Sequence, residues 1–188
     1  MTKPASKFFR RLLLAIFCFS NNLSLAQTSP LTLEQIVSAS GFIFSGKVAS
    51  VWSERDAATG FIVTYSTVAV DEAVRGVNAN RFTFKQYGGS YKGQNVFVAD
   101  MSYFTAGEEV VAFLYPLSKL GLTSPIGVAE GKWTIQRDPA TGKKFVAGNL
   151  NATKILAETL ADAAPAARIE YNQFIKLIRT LAARERQP

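Results

Sequence analysis

Two long β-forming runs on either side of one polar turn constrain this 188-residue chain more than any other feature. Phe42 to Trp52 (FIFSGKVASVW) and Phe61 to Val74 (FIVTYSTVAVDEAV) are built from β-branched, aromatic and small residues. The first carries too few charges to mark one face as solvated, so it is read as a long, largely buried strand. Between the runs, Ser53 to Gly60 (SERDAATG) is polar and ends in Thr-Gly, which predicts a reversal of the chain and a long β-hairpin.

The remaining β signals are shorter. Arg81 to Tyr87 (RFTFKQY) alternates, with Phe82 and Phe84 on one side and Arg81, Thr83 and Lys85 on the other, as in a strand with one wet face. A glycine-rich loop, Gly88 to Gly93, is followed by Asn95 to Ala99 (NVFVA), which resumes strand character. Val110 to Tyr115 (VVAFLY) is the most apolar internal run after the N-terminal segment and fits a central strand. Gly131 to Arg137 sets Trp133 and Ile135 against Lys132, Thr134 and Gln136. The turn residues Asp138 to Lys143 then lead into Lys144 to Ala147, a second hairpin expected at an edge. Helical signals sit at the two ends. Leu31 to Ala39 opens with Thr32 and Gln35 at capping-box spacing. Ala166 to Arg184 places Ile169, Phe174, Ile175, Ile178 and Leu181 at near-helical spacing, which predicts a helix laid on the sheet.

The N-terminus pairs Lys3, Lys7, Arg10 and Arg11 with an apolar run from Leu12 to Phe19 and ends Ser24-Leu25-Ala26, the layout of a cleavable export signal. Eight apolar residues fall well short of the roughly 20 that cross a bilayer, so no stable membrane insertion is expected after cleavage. Cleavage after Ala26 leaves 162 residues with 17 basic and 14 acidic side chains, a net charge of +3. It also removes Cys18, the only cysteine, and the chain has no histidine. Thiol and imidazole nucleophiles and metal ligands are therefore excluded, and the fold depends on its core. The resulting division is 1–26 signal peptide, 27–150 β-barrel domain and 151–188 helical extension of the same domain, in a periplasmic or extracellular setting.

Six or seven antiparallel strands between a short N-terminal helix and a C-terminal helix predict a mainly β domain, a small OB-like barrel with a β-sandwich as the alternative. FIFSGKVASVW through TYSTVAVDEAVRG, QYGGSYKG, FTAGEEVVAFLY and EGKWTIQRDPATGKKF together resemble a group of exported, largely uncharacterised bacterial proteins. Their domain is similar to the OB-fold of the tissue inhibitors of metalloproteinases. The resemblance spans about Leu31 to Val146. It implies the barrel and, as an alternative function, inhibition of a metalloprotease by the mature N-terminal segment. Those inhibitors chelate zinc through an N-terminal cysteine braced by disulfides. Here the expected end is Gln27-Thr28-Ser29-Pro30, so Gln27 would offer only its backbone amine and carbonyl.

Carboxylates are the one classical catalytic set left. Asp71-Glu72 and Glu108-Glu109 are neighbours in sequence, and neighbours on a strand point to opposite faces, so neither pair makes a one-sided dyad. Glu130, Asp100 and Asp138 lack the clustered spacing of a calcium loop. Gly88-Gly89 and Gly93 lack the Lys-Ser/Thr and the helix of a phosphate loop. Nucleic-acid binding is disfavoured because the alternation sends Phe82 and Phe84 to the core and the charge after cleavage is small. Asn151-Ala152-Thr153 matches a glycosylation acceptor of a eukaryotic secretory route. The expectation is a non-enzymatic exported binding domain for a protein or cell-envelope component, with no cofactor, metal or nucleic acid. Tyr87, Tyr91 and Trp133 are its candidate contact residues, and Gln27 is the candidate of the inhibitor reading. An enzyme working by carboxylates alone is the second alternative.

Overall fold

The computed structural model describes residues 30–148 and 169–185. Gln27, the signal segment, the Ala-rich run after Asn151 and the Asn151 acceptor lie outside the described residues.

The first element, α1 (Leu33–Ala39), starts where the sequence puts it. Thr32 Oγ1 accepts the Gln35 amide at 3.2 Å and Gln35 Oε1 accepts the Thr32 amide at 2.8 Å, so two otherwise orphaned donors are satisfied reciprocally. Its apolar face buries Leu33, Ile36 and Val37. The long hairpin follows as β1 (Phe42–Arg55) and β2 (Ile62–Arg75), paired from Ile43↔Arg75 to Arg55↔Ile62 with register shifts along the way. Then come β3 (Arg81–Tyr87), β4 (Gly89–Tyr91), β5 (Gln94–Val96), β6 (Glu109–Leu114), β7 (Lys132–Arg137), β8 (Lys144–Ala147), β9 (Ile169–Glu170) and α2 (Tyr171–Arg184).

The domain is mainly β: one antiparallel sheet in the order β3-β2-β1-β6-β7-β8-β9, a small β4-β5 ladder, a short first helix and a last helix packed on the sheet. Among the described residues the sheet is not closed into a barrel, and β3 and β9 are its edges. The register shifts in β1 add twist, and the segment 122–125 straps the curled sheet. It meets β3 in a single parallel bridge, Lys85↔Leu122, and β6 in a single antiparallel one, Leu114↔Pro125.

The strand β6 explains why VVAFLY is so apolar. Val111 and Phe113 belong to one core and Val110, Ala112 and Leu114 to another, so the strand is buried on both faces. The first core lies under the helices, where Phe174, Ile175, Ile178 and Leu181 of α2 meet Trp133, Ile135 and Val146. The second lies inside the curl of β1, β2 and β3, where Phe84 packs edge-on to Phe104 with ring centroids 5.0 Å apart. Arg75 secures the helices to the sheet by donating to Val37 O (2.7 Å), Ser40 O (3.1 Å) and Glu185 Oε2 (2.6 Å).

Three expectations change. The β7–β8 hairpin is not at the edge, because β9 pairs outside β8. Ile169 is not on the last helix: it pairs with Val146 as β9, because Glu170 takes the N-cap position and accepts the Gln173 amide at 2.9 Å. The strand expected over Asn95 to Ala99 stops at Val96, and Phe97 and Val98 stand in solvent instead.

Both hairpins use one turn. In Asp56-Ala57-Ala58-Thr59-Gly60 and in Asp138-Pro139-Ala140-Thr141-Gly142 the aspartate Oδ1 accepts the amides two and three residues on and the threonine hydroxyl. A glycine at φ near +70° closes each turn.

Candidate functional site

The alternation of β3 that sends Phe84 and Gln86 inward leaves Tyr87 outward at the strand's end, 37% exposed. Phe61, just before β2 and 43% exposed, sets its ring edge-on to Tyr87 at 5.5 Å. On the other side Tyr103 donates its hydroxyl to Tyr87 O at 2.8 Å, and Phe97 packs edge-on to Tyr103 at 5.2 Å. An aromatic row therefore runs from the β1–β2 turn to the loop after β5.

The glycine-rich loop is what lets this row form. Gly88 and Gly89 sit at φ +91° and +140°, and a Cβ would fall 2.5 Å from Val96 O at the first and 2.3 Å from Thr64 Oγ1 at the second. Only a residue without a side chain lets β4 and β5 fold back this closely. Lys92 and Gly93, both at positive φ, form the β4–β5 turn, and the Lys92 ammonium lies 5.3 Å from the Tyr91 ring centroid. Tyr91 is half-buried there.

Past Tyr87 the surface becomes a groove of about 400 Å³ lined by Tyr87, Met101, Tyr115, Pro116, Leu120 and Leu122 among others. Its far wall is the loop after β6. Ser118 organises that loop: its amide donates to Leu122 O at 2.8 Å, and its hydroxyl accepts the Leu122 amide at 3.1 Å and the Leu120 amide at 3.3 Å. Leu117 and Leu120 are consequently held 54% and 50% exposed.

A part-buried ion pair supports the same end of the molecule. Lys85 Nζ lies 2.5 Å from Asp56 Oδ2, and Asp56 is 4% exposed. The Lys85 hydrogen bond, followed by that from the Thr59 amide, lowers the Asp56 pKa to about 2. Lys85 O in turn accepts the Thr123 amide at 3.0 Å, so this strand position joins the hairpin turn to the strap. Tyr65, the cross-strand neighbour of Lys85, stacks on the exposed Trp52 at 5.1 Å and 7°. Burial pushes the Tyr65 hydroxyl pKa up.

Four further acids are paired with cations. Glu108 pairs with Lys132 at 2.9 Å, Glu109 with Lys144 at 2.9 Å and Arg137 at 3.1 Å, Asp71 with Lys144 at 3.9 Å, and Glu72 with Arg179. The Lys144 hydrogen bond draws the Glu109 pKa below the usual carboxylate range. Glu130 Oε2 accepts the Leu31 amide at 2.9 Å. Among the described residues no three His, Cys, Asp or Glu side chains are grouped to hold a metal ion.

Of the residues singled out from sequence, Tyr87 is at the centre of the patch and Tyr91 on the adjoining hairpin. Trp133 is not at the surface: it is fully buried, stacked on Phe174 at 4.8 Å with its indole N–H donated to Glu130 O at 2.8 Å. Its strand faces α2 on that side, and that helix takes the place a partner would need. Sequence reasoning missed Phe61, Phe97, Tyr115, Leu117 and Leu120, because their residue types are those of strand ends and core positions. No family model, curated protein or solved structure matches this chain.

Proposed function

We propose that the chain is an exported, non-enzymatic binding domain whose contact surface is the apolar patch centred on Tyr87. The observation that carries this reading is a set of large apolar side chains 37% to 58% exposed: Tyr87, Tyr115 and Leu120 line one groove, and Phe61 and Phe97 extend from it through ring contacts with Tyr87 and Tyr103. Contiguous apolar surface on structured loops marks an interaction site, whereas singly scattered residues do not. The partner is a protein or a component of the cell envelope.

A carboxylate-dependent hydrolase needs two acids facing one cleft. The groove beside Tyr87 has none in its lining, and the hollows beside α2 have one each, Glu72 and Glu170. The test is retention of the purified chain on a native envelope fraction, comparing the parent with a Tyr87→Ser/Tyr115→Ser variant of unchanged circular dichroism. Retention is expected to fall at least about tenfold, which is about 1.4 kcal/mol of contact energy. Equal retention of the two proteins overturns the reading, as does catalytic turnover abolished by removal of one acidic side chain.

A further inference from the structure

The reading of the Tyr87 patch as a contact surface leaves its partner open, and the loop after β6 narrows it. That loop reads Tyr115-Pro116-Leu117-Ser118-Lys119-Leu120, six consecutive exposed residues. Their exposure is built in, because Ser118 closes the loop with its own hydrogen bonds and so keeps Leu117 and Leu120 from folding back onto the protein. We propose that this loop docks the protein on an anionic lipid surface, with Leu117 and Leu120 entering the acyl boundary.

Three features fit a lipid surface better than a protein one. Lys119 stands between the two leucines, whereas the cores of protein–protein interfaces are depleted in lysine. A lysine beside inserted apolar residues keeps its stem in the apolar layer and its ammonium at the headgroups. Second, Tyr87 and Tyr115 flank the leucines with amphipathic rings, the residue type enriched where membrane meets water. Third, the charge is complementary. Segments 87–99, 101–107 and 115–124 contain Lys92 and Lys119 and no carboxylate; Asp100 lies between the first two, and Glu108 and Glu109, between the last two, are paired with Lys132, Lys144 and Arg137. Basic residues near an anionic leaflet add attraction that falls off within a Debye length. The contact is peripheral: among the described residues no helix is long and apolar enough to cross a membrane.

Co-sedimentation of the full chain with phosphatidylcholine vesicles, with and without phosphatidylglycerol, tests the proposal. Partition is expected to be stronger with phosphatidylglycerol and to weaken with salt. Leu120→Ser is expected to lower it about tenfold, since each leucine side chain moved out of water contributes on that scale, and Leu117→Ser/Leu120→Ser further. Lys119→Glu should remove the preference for phosphatidylglycerol, while Lys143→Glu, on the β7–β8 turn, leaves it. Partition unchanged in the double serine variant overturns the proposal, as does an equal effect of the two charge reversals. If no vesicle binds but Tyr87→Ser/Tyr115→Ser still loses retention on the envelope fraction, the lipid partner falls and the contact surface stands. If neither is seen, both fall.

Discussion

The half of the sheet under the helices and the half at the β1–β2 turn contain the same kinds of side chain and treat them in opposite ways. Under the helices, Trp133, Phe113 and Phe174 interlock and are fully buried. At the turn, Phe61 meets Tyr87, and Phe97 meets Tyr103, edge-on as Phe113 meets Phe174, yet Phe61 and Phe97 face water. Ring contacts alone therefore do not distinguish core from contact surface. What distinguishes them is whether another element closes over the rings, and α2 does so on one side only.

Substitutions should separate the two halves. The largest effect is expected for Trp133→Ala, a loss of about 3–5 kcal/mol of stability in denaturant titration, because this fully buried ring stacked on Phe174 would leave a cavity beneath α2. A loss below about 1 kcal/mol would mean that this core is looser than its contacts indicate.

The ion pair beneath the patch should show itself through pH. The folded-state pKa of Asp56 is lowered to about 2 from an ordinary 3.8, so its contribution is present above the unfolded value and is lost as pH falls through the folded one. The urea midpoint is expected to drop between about pH 4 and about pH 2, with that part of the drop absent in Asp56→Asn. An identical acid profile in the variant would assign acid sensitivity to other carboxylates, Glu109 first.

Overpacking comes next. A Cβ at Gly148 would sit 2.4 Å from the Trp133 ring, so Gly148→Ala should cost about 1–3 kcal/mol. At the first helix, Thr32→Ala removes one half of the capping box and should cost about 1 kcal/mol. The smallest stability effect belongs to the patch: Phe97→Ser and Leu120→Ser should change unfolding free energy by no more than about 0.5 kcal/mol. A patch variant that destabilises like Trp133→Ala would erase the contrast between the halves.

Much of the fold could be read from local chemistry. Thr32 and Gln35 announce the start of α1, the alternation of RFTFKQY gives β3 its bounds and its inward face, and the aspartates and glycines of the two turns place both hairpins. That the sheet curls without closing could not be read, because its curl depends on register shifts in β1 and on a strap with one bridge to each neighbour. The final strand was hidden because two residues have no period, and only the capping role of Glu170 separates Ile169 from the helix. The site was half visible. Alternation sets Trp133 apart from Lys132 and Thr134 but does not say what covers its face, and exposed leucines in a loop look like core leucines until Ser118 is seen holding them out.

The double-sided burial of β6 has a consequence for how the molecule comes apart. Pulling Val111 and Phe113 from beneath the helices also withdraws Val110, Ala112 and Leu114 from the opposite layer. Neither layer can melt while the other stays intact, so calorimetry should record a single endotherm whose van't Hoff and calorimetric enthalpies agree.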